Sequence, residues 1–201
     1  GAMSALQDWD GLWRFAYSHG LDNMHDRKGV PGYFDVASDP LGQAGDRASV
    51  CLFLRGDLAP LSDMVANQVT PDTFLPKDGR PVGVIPQWKN AAWQIRTGTA
   101  VAPVAGLKTF NLKDQLKKDQ APVTLQPNTA IELNRERGTF RIVTAKTSGG
   151  FTPSGKLESG AVSFDCGDVA TTVWASSLDG KAITESHRIL VTHLTGVQAN
   201  G

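Results

Sequence analysis

Five tryptophans are the residues of this 201-residue sequence whose chemistry stands out most clearly. The indole ring presents a flat, electron-rich face on which the C–H groups of a sugar ring can stack. Trp88 and Trp93 are flanked by polar residues, among them Lys89 and Gln94, a setting that suits contact with a ligand. We therefore predict that Trp88 and Trp93 bind carbohydrate.

The other three tryptophans lie among apolar residues. Trp9 and Trp13 belong to a dense aromatic segment that ends at Tyr17, a pattern more typical of core packing than of ligand contact. The segment fits a buried strand or a short helix equally well. Trp174 lies inside an apolar run, and we predict that it is buried in a strand.

The histidines and cysteines do not have the spacing of a zinc site. His19 and His25 share a loop with Asp22 and Asp26, which allows a metal site, but a solvated loop is the expectation. A phosphate-binding loop, a dinucleotide fingerprint and a nucleophile elbow are all missing from the sequence. We therefore predict no cofactor and no metal.

Carboxylate pairs are the remaining candidates for catalysis. A glycosidase uses two carboxylates about 5–10 Å apart across a cleft. Asp39 is better explained as a helix cap, and Glu132 and Glu136 flank a predicted hairpin turn. We therefore predict no catalytic residue in this chain. The local pairs considered were Asp8/Asp10, Asp35/Asp39 and Glu132/Glu136.

The charge balance restricts the possible partners. Twenty Lys and Arg residues stand against twenty Asp and Glu residues, so the formal net charge is zero. Nucleic acids and anionic membranes are bound mainly through excess positive charge, so neither is expected as a partner. The longest apolar stretch, Val50–Leu54, is too short to span a bilayer. For Cys51 and Cys166, two free thiols are expected rather than a disulfide.

Turn and periodicity signals predict a mainly β fold, an antiparallel β-sandwich or jelly roll with an N-terminal helical segment. Apolar residues recur every three to four positions after Ser38-Asp39-Pro40, which predicts a helix over 40–55 that Gly56 ends. Residues 135–138 and Leu178-Asp179-Gly180 are predicted hairpin turns. The predicted strands, rich in Val, Ile, Thr and Phe, are Val123–Leu125, Thr129–Leu133, Thr139–Ala145, Ala161–Asp165, Ala170–Ala175, Lys181–Glu185 and Arg188–Leu194.

The composition suggests four parts. Residues 1–3 resemble the remnant of a cleaved tag, and residues 4–66 form the helix-containing N-terminal segment. Residues 67–120 are predicted to be an irregular connecting region, in which 88–95 fits a strand or a loop and 107–116 fits a short helix. Residues 121–201 hold the strands of the sandwich, which form a single compact unit with part of 67–120.

Several segments resemble the C-terminal part of large bacterial clan-A glycoside hydrolases. Trp9-Asp10-Gly11-Leu12-Trp13-Arg14-Phe15-Ala16-Tyr17-Ser18-His19 resembles the last strand of their catalytic barrel. Residues 33–41, 46–48 and 52–57 resemble the helix that follows and its connection. Residues 138–144 and 172–180 resemble the accessory β-sandwich beyond the barrel. In patches, the likeness covers about three quarters of the chain.

The resemblance implies a piece of a glycosidase without its catalytic glutamates, which in this family follow the fourth and seventh barrel strands and would lie upstream. It places Tyr17, Ser18 and His19 at the barrel rim, where active sites are built. Tyr17, His19 and Trp13 thus join Trp88 and Trp93 as candidate carbohydrate-binding residues. It also implies a secreted or periplasmic protein. A single barrel strand would expose unpaired backbone groups and an aromatic face. We therefore expect the N-terminal segment to repack onto the sandwich, to pair with another copy of the chain or to pack on a missing barrel.

Three functions remain open from the sequence. The first is a non-catalytic carbohydrate-binding or accessory module for a neutral polysaccharide, which suits the zero net charge and the aromatic residues. The second is a small glycoside hydrolase with its own carboxylate pair. The third is a structural domain without a ligand.

Overall fold

A computed structural model describes residues 1–21, 24, 34–37, 39–69, 91–110 and 130–195. The chain divides into two compact units. The first consists of Gly1–Ser4, Asp10–Leu58 and Thr129–Gly201, and the second of Ala5–Trp9 and Ala59–Asn128. The described residues are mainly β, as predicted. Within the described part of the chain, the helices lack the length and apolar character that crossing a bilayer requires.

Ten strands and two α-helices make up the described regular structure. The helices are α1 (Ala2–Leu6) and α2 (Pro40–Ser49), and α2 continues into a π-helical turn over Val50–Leu54. The strands are β1 (Met64–Gln68), β2 (Arg96–Ala100), β3 (Lys108–Phe110), β4 (Ile131–Asn134), β5 (Thr139–Val143), β6 (Thr147–Thr152), β7 (Lys156–Ser159), β8 (Val162–Asp165), β9 (Thr171–Ser177) and β10 (Ile189–Thr195).

Helix α2 begins where the sequence predicts, and the π-helical turn that continues it ends at Leu54, one residue before the predicted end. The Asp39 carboxylate accepts a hydrogen bond from the Gly42 N–H at 3.0 Å, and Pro40 occupies the first turn, where its missing N–H costs nothing. After the π-helical turn, Gly56 adopts a φ of 72°, which a glycine tolerates best. Ala48, Cys51 and Leu52 are buried on one face. The predicted helix over 40–55 is confirmed.

The first unit contains a five-stranded antiparallel sheet in the order β10-β9-β6-β5-β4 and a two-stranded antiparallel sheet of β7 and β8. Residues 135–138 form the predicted hairpin turn between β4 and β5. The strands predicted near β4, β5, β8, β9 and β10 are confirmed within one or two residues at most ends. Trp174 on β9 is 8% exposed, so its predicted burial is also confirmed.

Some predicted strands differ from the structure. The strand over Lys181–Glu185 is wrong, because these residues belong to the connection from β9 to β10. That connection spans residues 178–188, so Leu178-Asp179-Gly180 opens a long loop rather than closing a tight hairpin. Strands β6 and β7 were not predicted, because glycines and charged residues weaken their apolar signal. The predicted strand Val123–Leu125 lies outside the described residues.

Two adjacent glycines allow β6 to lie at the centre of the five-stranded sheet. A Cβ added at Gly149 would lie 2.1 Å from the carbonyl oxygen of Val173, and one at Gly150 would lie 1.8 Å from that of Phe140. Both distances are far below van der Waals contact. Only glycine therefore permits β6 to fit between β5 and β9.

An ion pair joins the end of the π-helical turn to this sheet. The Arg55 guanidinium donates to both carboxylate oxygens of Asp57, at 2.9 and 2.5 Å, and to the Ser177 carbonyl at 2.6 Å. The Thr147 hydroxyl donates to Asp57 at 2.7 Å. The Asp57 side chain is 1% exposed, so these bonds replace its hydration. The hydrogen bond to Asp57 also raises the pKa of Arg55.

The second unit holds a three-stranded parallel sheet in the order β2-β1-β3. Val65, Ala91 and Ile95 form its buried cluster, against which Phe110 packs. Residues 67–120, predicted to be irregular, thus contain part of β1 and all of β2 and β3. In the span predicted as a strand or a loop, the described residues Ala91–Trp93 form a short 3-10 helix. Most of the helix predicted at 107–116 lies outside the described residues.

Candidate functional site

The aromatic segment that the sequence placed in a strand or a helix forms neither. Its backbone is held by residues 34–37 instead. The Ala16 N–H donates to the Phe34 carbonyl at 3.1 Å, and the Tyr17 carbonyl accepts from the N–H groups of Val36 and Ala37 at 3.2 and 2.9 Å. These bonds fix the main chain while leaving the aromatic side chains outside the core.

The exposure of these side chains is the main departure from the sequence analysis. Trp13 is 93% exposed, Phe15 68% and Tyr17 61%. Core packing was expected for Trp9 and Trp13, and the structure contradicts it for both, since Trp9 in the second unit is 49% exposed. A regular strand or helix would have turned one face of this segment inward, but the irregular backbone turns its large rings outward.

His19 follows the aromatic segment and is held by a buried carboxylate. Its Nδ1 pairs with Asp35, whose side chain is fully buried, while half of the imidazole is exposed. The His19 backbone N–H also donates to Asp35, at 3.3 Å. A carboxylate that accepts the Nδ1 proton fixes the imidazole tautomer and orientation. Nε2 is then the atom with which His19 can accept a hydrogen bond from a ligand.

Aromatic contacts link His19 to its neighbours. The Phe15 ring meets the imidazole edge-to-face, with the centroids 5.2 Å apart, and meets Phe34 at 5.7 Å. Phe34 is itself 51% exposed. We call Trp13, Phe15, Tyr17, His19 and Phe34 the aromatic surface. It combines apolar rings with one oriented polar group, which is the composition of a site that stacks a ring and hydrogen-bonds its substituents.

A groove borders the aromatic surface on the side of α2. It has a volume of about 360 Å³ and is lined by Leu12, Trp13 and Arg14 and by residues from α2 and the π-helical turn. Arg14 donates to Asp46 on α2 at 2.8 Å, and both side chains are about half exposed. The groove therefore places an ion pair with hydrogen-bonding capacity next to the indole of Trp13.

Trp88 and Trp93, the first binding residues predicted from the sequence, are not among the residues of the aromatic surface. Trp88 lies outside the described residues. Trp93 lies in the 3-10 helix of the second unit and is partly exposed. Of the five predicted binding residues, Trp13, Tyr17 and His19 belong to the first unit, where Trp13 lines the groove beside α2 and His19 contacts Phe15.

The predicted carboxylate pairs have other partners. Asp39 caps α2, Asp35 holds His19, Asp8 binds Arg96 at 2.6 Å and Glu132 binds Arg141 at 2.5 Å. Within the described ranges, no three His, Cys, Asp or Glu side chains are grouped as a metal site would need. His25 lies outside those ranges. Cys51 and Cys166 are both free thiols, as expected.

Four further residues contribute to the site without having been predicted as members from the sequence: Arg14, Phe34, Asp35 and Asp46. Asp35 is 16 residues from His19, and Arg14 is 32 residues from Asp46, so no local spacing indicates either pair. The available signal was the resemblance of residues 9–19, 33–41 and 46–48 to a last barrel strand and the helix connection that follows it. No family model, curated protein or solved structure matches this chain.

Proposed function

We propose that this chain is a non-catalytic carbohydrate-binding or accessory module, and that its aromatic surface binds a neutral polysaccharide or oligosaccharide. The observation that carries the proposal is the exposure of Trp13, Phe15 and Tyr17. Apolar area left in water forgoes about 25 cal/mol per Å² of burial, so neighbouring exposed rings are uncommon unless a partner covers them.

The polar groups beside these rings favour a sugar over a purely apolar ligand. Pyranose rings present C–H groups on their faces and hydroxyl groups at their edges. Trp13 or Tyr17 can stack on a face, while His19 Nε2 and the Arg14–Asp46 pair can bind hydroxyls. The formal net charge of zero also fits an uncharged polymer better than a polyanion.

The proposal includes a relation to clan-A glycoside hydrolases, in which the two antiparallel sheets of the first unit are layers of a β-sandwich or jelly roll. A hydrogen bond between the sheets supports the layering, because the Ser159 hydroxyl at the end of β7 donates to the Ile142 carbonyl on β5 at 2.9 Å. On this proposal, the aromatic surface belongs to the end of a barrel.

The experiment is a polysaccharide pull-down combined with a reducing-sugar assay on the same sample, over glucans, xylans, mannans and galactans. Retention without release of reducing ends is expected. Trp13→Ala and Tyr17→Ala should abolish retention, while Leu178→Ala, which removes an exposed apolar side chain elsewhere in the first unit, should not. Trp88→Ala and Trp93→Ala test the tryptophans predicted first.

A different outcome would redirect the proposal. Reducing ends whose release one carboxylate substitution abolishes would establish a small hydrolase. If none of the four polymer classes retained the protein, the proposal that the aromatic surface binds a glycan would be contradicted.

A second candidate is a packing surface for another polypeptide. It is favoured by apolar side chains on α2 and the π-helical turn, where Leu41 is 48%, Val50 49% and Leu54 73% exposed. Val50 and Leu54 also line the groove beside Trp13. Self-association through this face would give concentration-dependent size exclusion that Leu54→Glu suppresses, whereas glycan binding alone leaves a monomer.

A further inference from the structure

A second groove of the first unit lies between two turns at one end of its sheets. Residues 135–138 join β4 to β5, and residues 153–155 join β6 to β7. The turns lie side by side, since a Cβ at Gly138 would contact Pro153 at 3.7 Å. The groove has a volume of about 340 Å³. Turns held by a rigid sheet are frequent positions for binding residues.

Charged side chains from both sheets line this groove. Arg141 on β5 is already engaged, because it pairs with Glu132 at 2.5 Å and donates to the Glu158 carbonyl at 3.1 Å. The Glu158 carboxylate accepts a hydrogen bond from the Ser163 hydroxyl at 2.6 Å. These contacts engage Arg141, Glu132 and Glu158, three of the five charged residues of the lining, and the Glu158 carboxylate is bonded to a neutral hydroxyl.

Arg137 and Lys156 are the other two charged residues of the lining. Neither the guanidinium of Arg137 nor the ammonium of Lys156 has a hydrogen-bond or ion-pair partner among the residues that the structure describes. Arg137 comes from one turn and Lys156 directly follows the other, so two cations converge on one concavity. An anion bound in this groove could accept charge-assisted hydrogen bonds from both side chains.

We propose that this groove is an oxyanion site for a saccharide that carries a carboxylate or a sulfate ester, with Arg137 and Lys156 as its ligands. Arginine matches the planar geometry of a carboxylate, and lysine adds a point charge. Thr139 and Ser154 contribute hydroxyl groups to the same lining, which suits the hydroxyls of a sugar. This site is separate from the aromatic surface and takes a charged rather than a neutral ligand.

An NMR titration of the full chain tests this proposal with four probes. They are trigalacturonic acid, its neutral methyl ester, a sulfated disaccharide and inorganic sulfate. We expect a charged saccharide to shift the amide signals of residues 137–141 and 152–158, and the methyl ester to leave them unchanged. Whichever charged saccharide binds more tightly identifies the source of the oxyanion. Because both cations are exposed, raising the salt concentration should weaken binding.

Matched variants make the test specific. Arg137→Gln and Lys156→Gln should each weaken binding about two- to fivefold, the range typical of exposed charge pairs. Arg135→Gln removes a charge from the same turn but outside the groove lining, so it should bind like the wild type.

Three results would overturn the proposal. They are equal binding of trigalacturonic acid and its methyl ester, wild-type affinity in the Arg137→Gln/Lys156→Gln double variant, and inorganic sulfate binding as tightly as the charged saccharides.

Discussion

Trp13 and Trp174 both belong to the first unit, yet their environments are opposite. Trp174 lies on β9, in the second position of the five-stranded sheet, and is 8% exposed. Trp13 lies on an irregular segment bordering α2 and is 93% exposed. In a strand, alternate side chains are forced onto one face, so an apolar residue in the right register is buried. The irregular segment imposes no such register.

This difference separates residues that hold the fold from residues available for function. The β9 region has a buried aromatic ring, flanking glycines and a full set of ladder hydrogen bonds. The aromatic surface has a main chain fixed by a few bonds to residues 34–37 and large rings in solvent. We therefore expect substitutions in the first region to change stability and substitutions in the second to change binding.

The largest expected effect comes from the tryptophans themselves. Trp174→Ala should lower the free energy of unfolding by about 3–5 kcal/mol, because it removes a buried ring and leaves a cavity. Trp13→Ala should change it by no more than about 0.5 kcal/mol, since the ring is already in water. Urea denaturation followed by far-UV circular dichroism measures both. Equal losses in the two variants would contradict the contrast between these regions.

A second test uses glycines. Gly150→Ala should cost about 3 kcal/mol, because the new methyl group would overlap the Phe140 carbonyl and the paired strands would have to shift to admit it. Gly180→Ala is the matched control. Its φ of 78° is unfavourable for alanine, but nothing lies within 4 Å of the added methyl, so only about 1–2 kcal/mol is expected. If the Gly180 variant lost as much stability as the Gly150 variant, the close approach of the strands around β6 would not be the cause of the loss.

The smallest effect is a pH dependence in the loop from β9 to β10. The Ser186 hydroxyl, at 2.7 Å, and the His187 N–H, at 2.9 Å, donate to Asp179 and hold its pKa well below the usual range. A carboxylate with a lowered pKa in the folded state stabilises the fold above its unfolded-state pKa of about 3.9, and the stabilisation is lost as the pH falls below that value.

Asp179→Asn should therefore lower the thermal midpoint at pH 7 and reduce its fall between pH 5 and pH 2. Calorimetric scans across that range measure both quantities. Asp168→Asn, which changes an exposed carboxylate in the turn before β9, should alter neither. If the two variants have the same pH profile as the wild type, Asp179 does not organise this loop.

The parts predicted correctly from the sequence have local signals. Helix α2 has its cap, its proline and its apolar periodicity within 17 residues, and the hairpin at 135–138 has its glycine beside two β-rich runs. The Trp174 strand, Thr171–Ser177, has β-branched Thr and Val residues directly before the indole, and these favour a strand. In each case the residues that determine the structure are close together in the chain.

The parts that were missed depend on distant residues. The backbone of residues 16–17 is held by residues 34–37, and the orientation of His19 follows from Asp35. Strand β6 is held by neighbours whose close approach requires Gly149 and Gly150, although glycine usually weakens a strand signal. The periodicity of a short stretch of sequence cannot indicate such contacts between residues that are far apart in the chain.

The central claim is that the aromatic surface binds a neutral glycan. The most direct measurement is a calorimetric titration of the wild type and of Trp13→Ala with an oligosaccharide of the polysaccharide that the pull-down retains. We predict saturable binding to the wild type and at least about a tenfold loss in the variant, since a stacked aromatic ring in a binding site contributes about 1.4 kcal/mol or more. Equal affinity in both proteins, with the fold of the variant intact, would contradict the account.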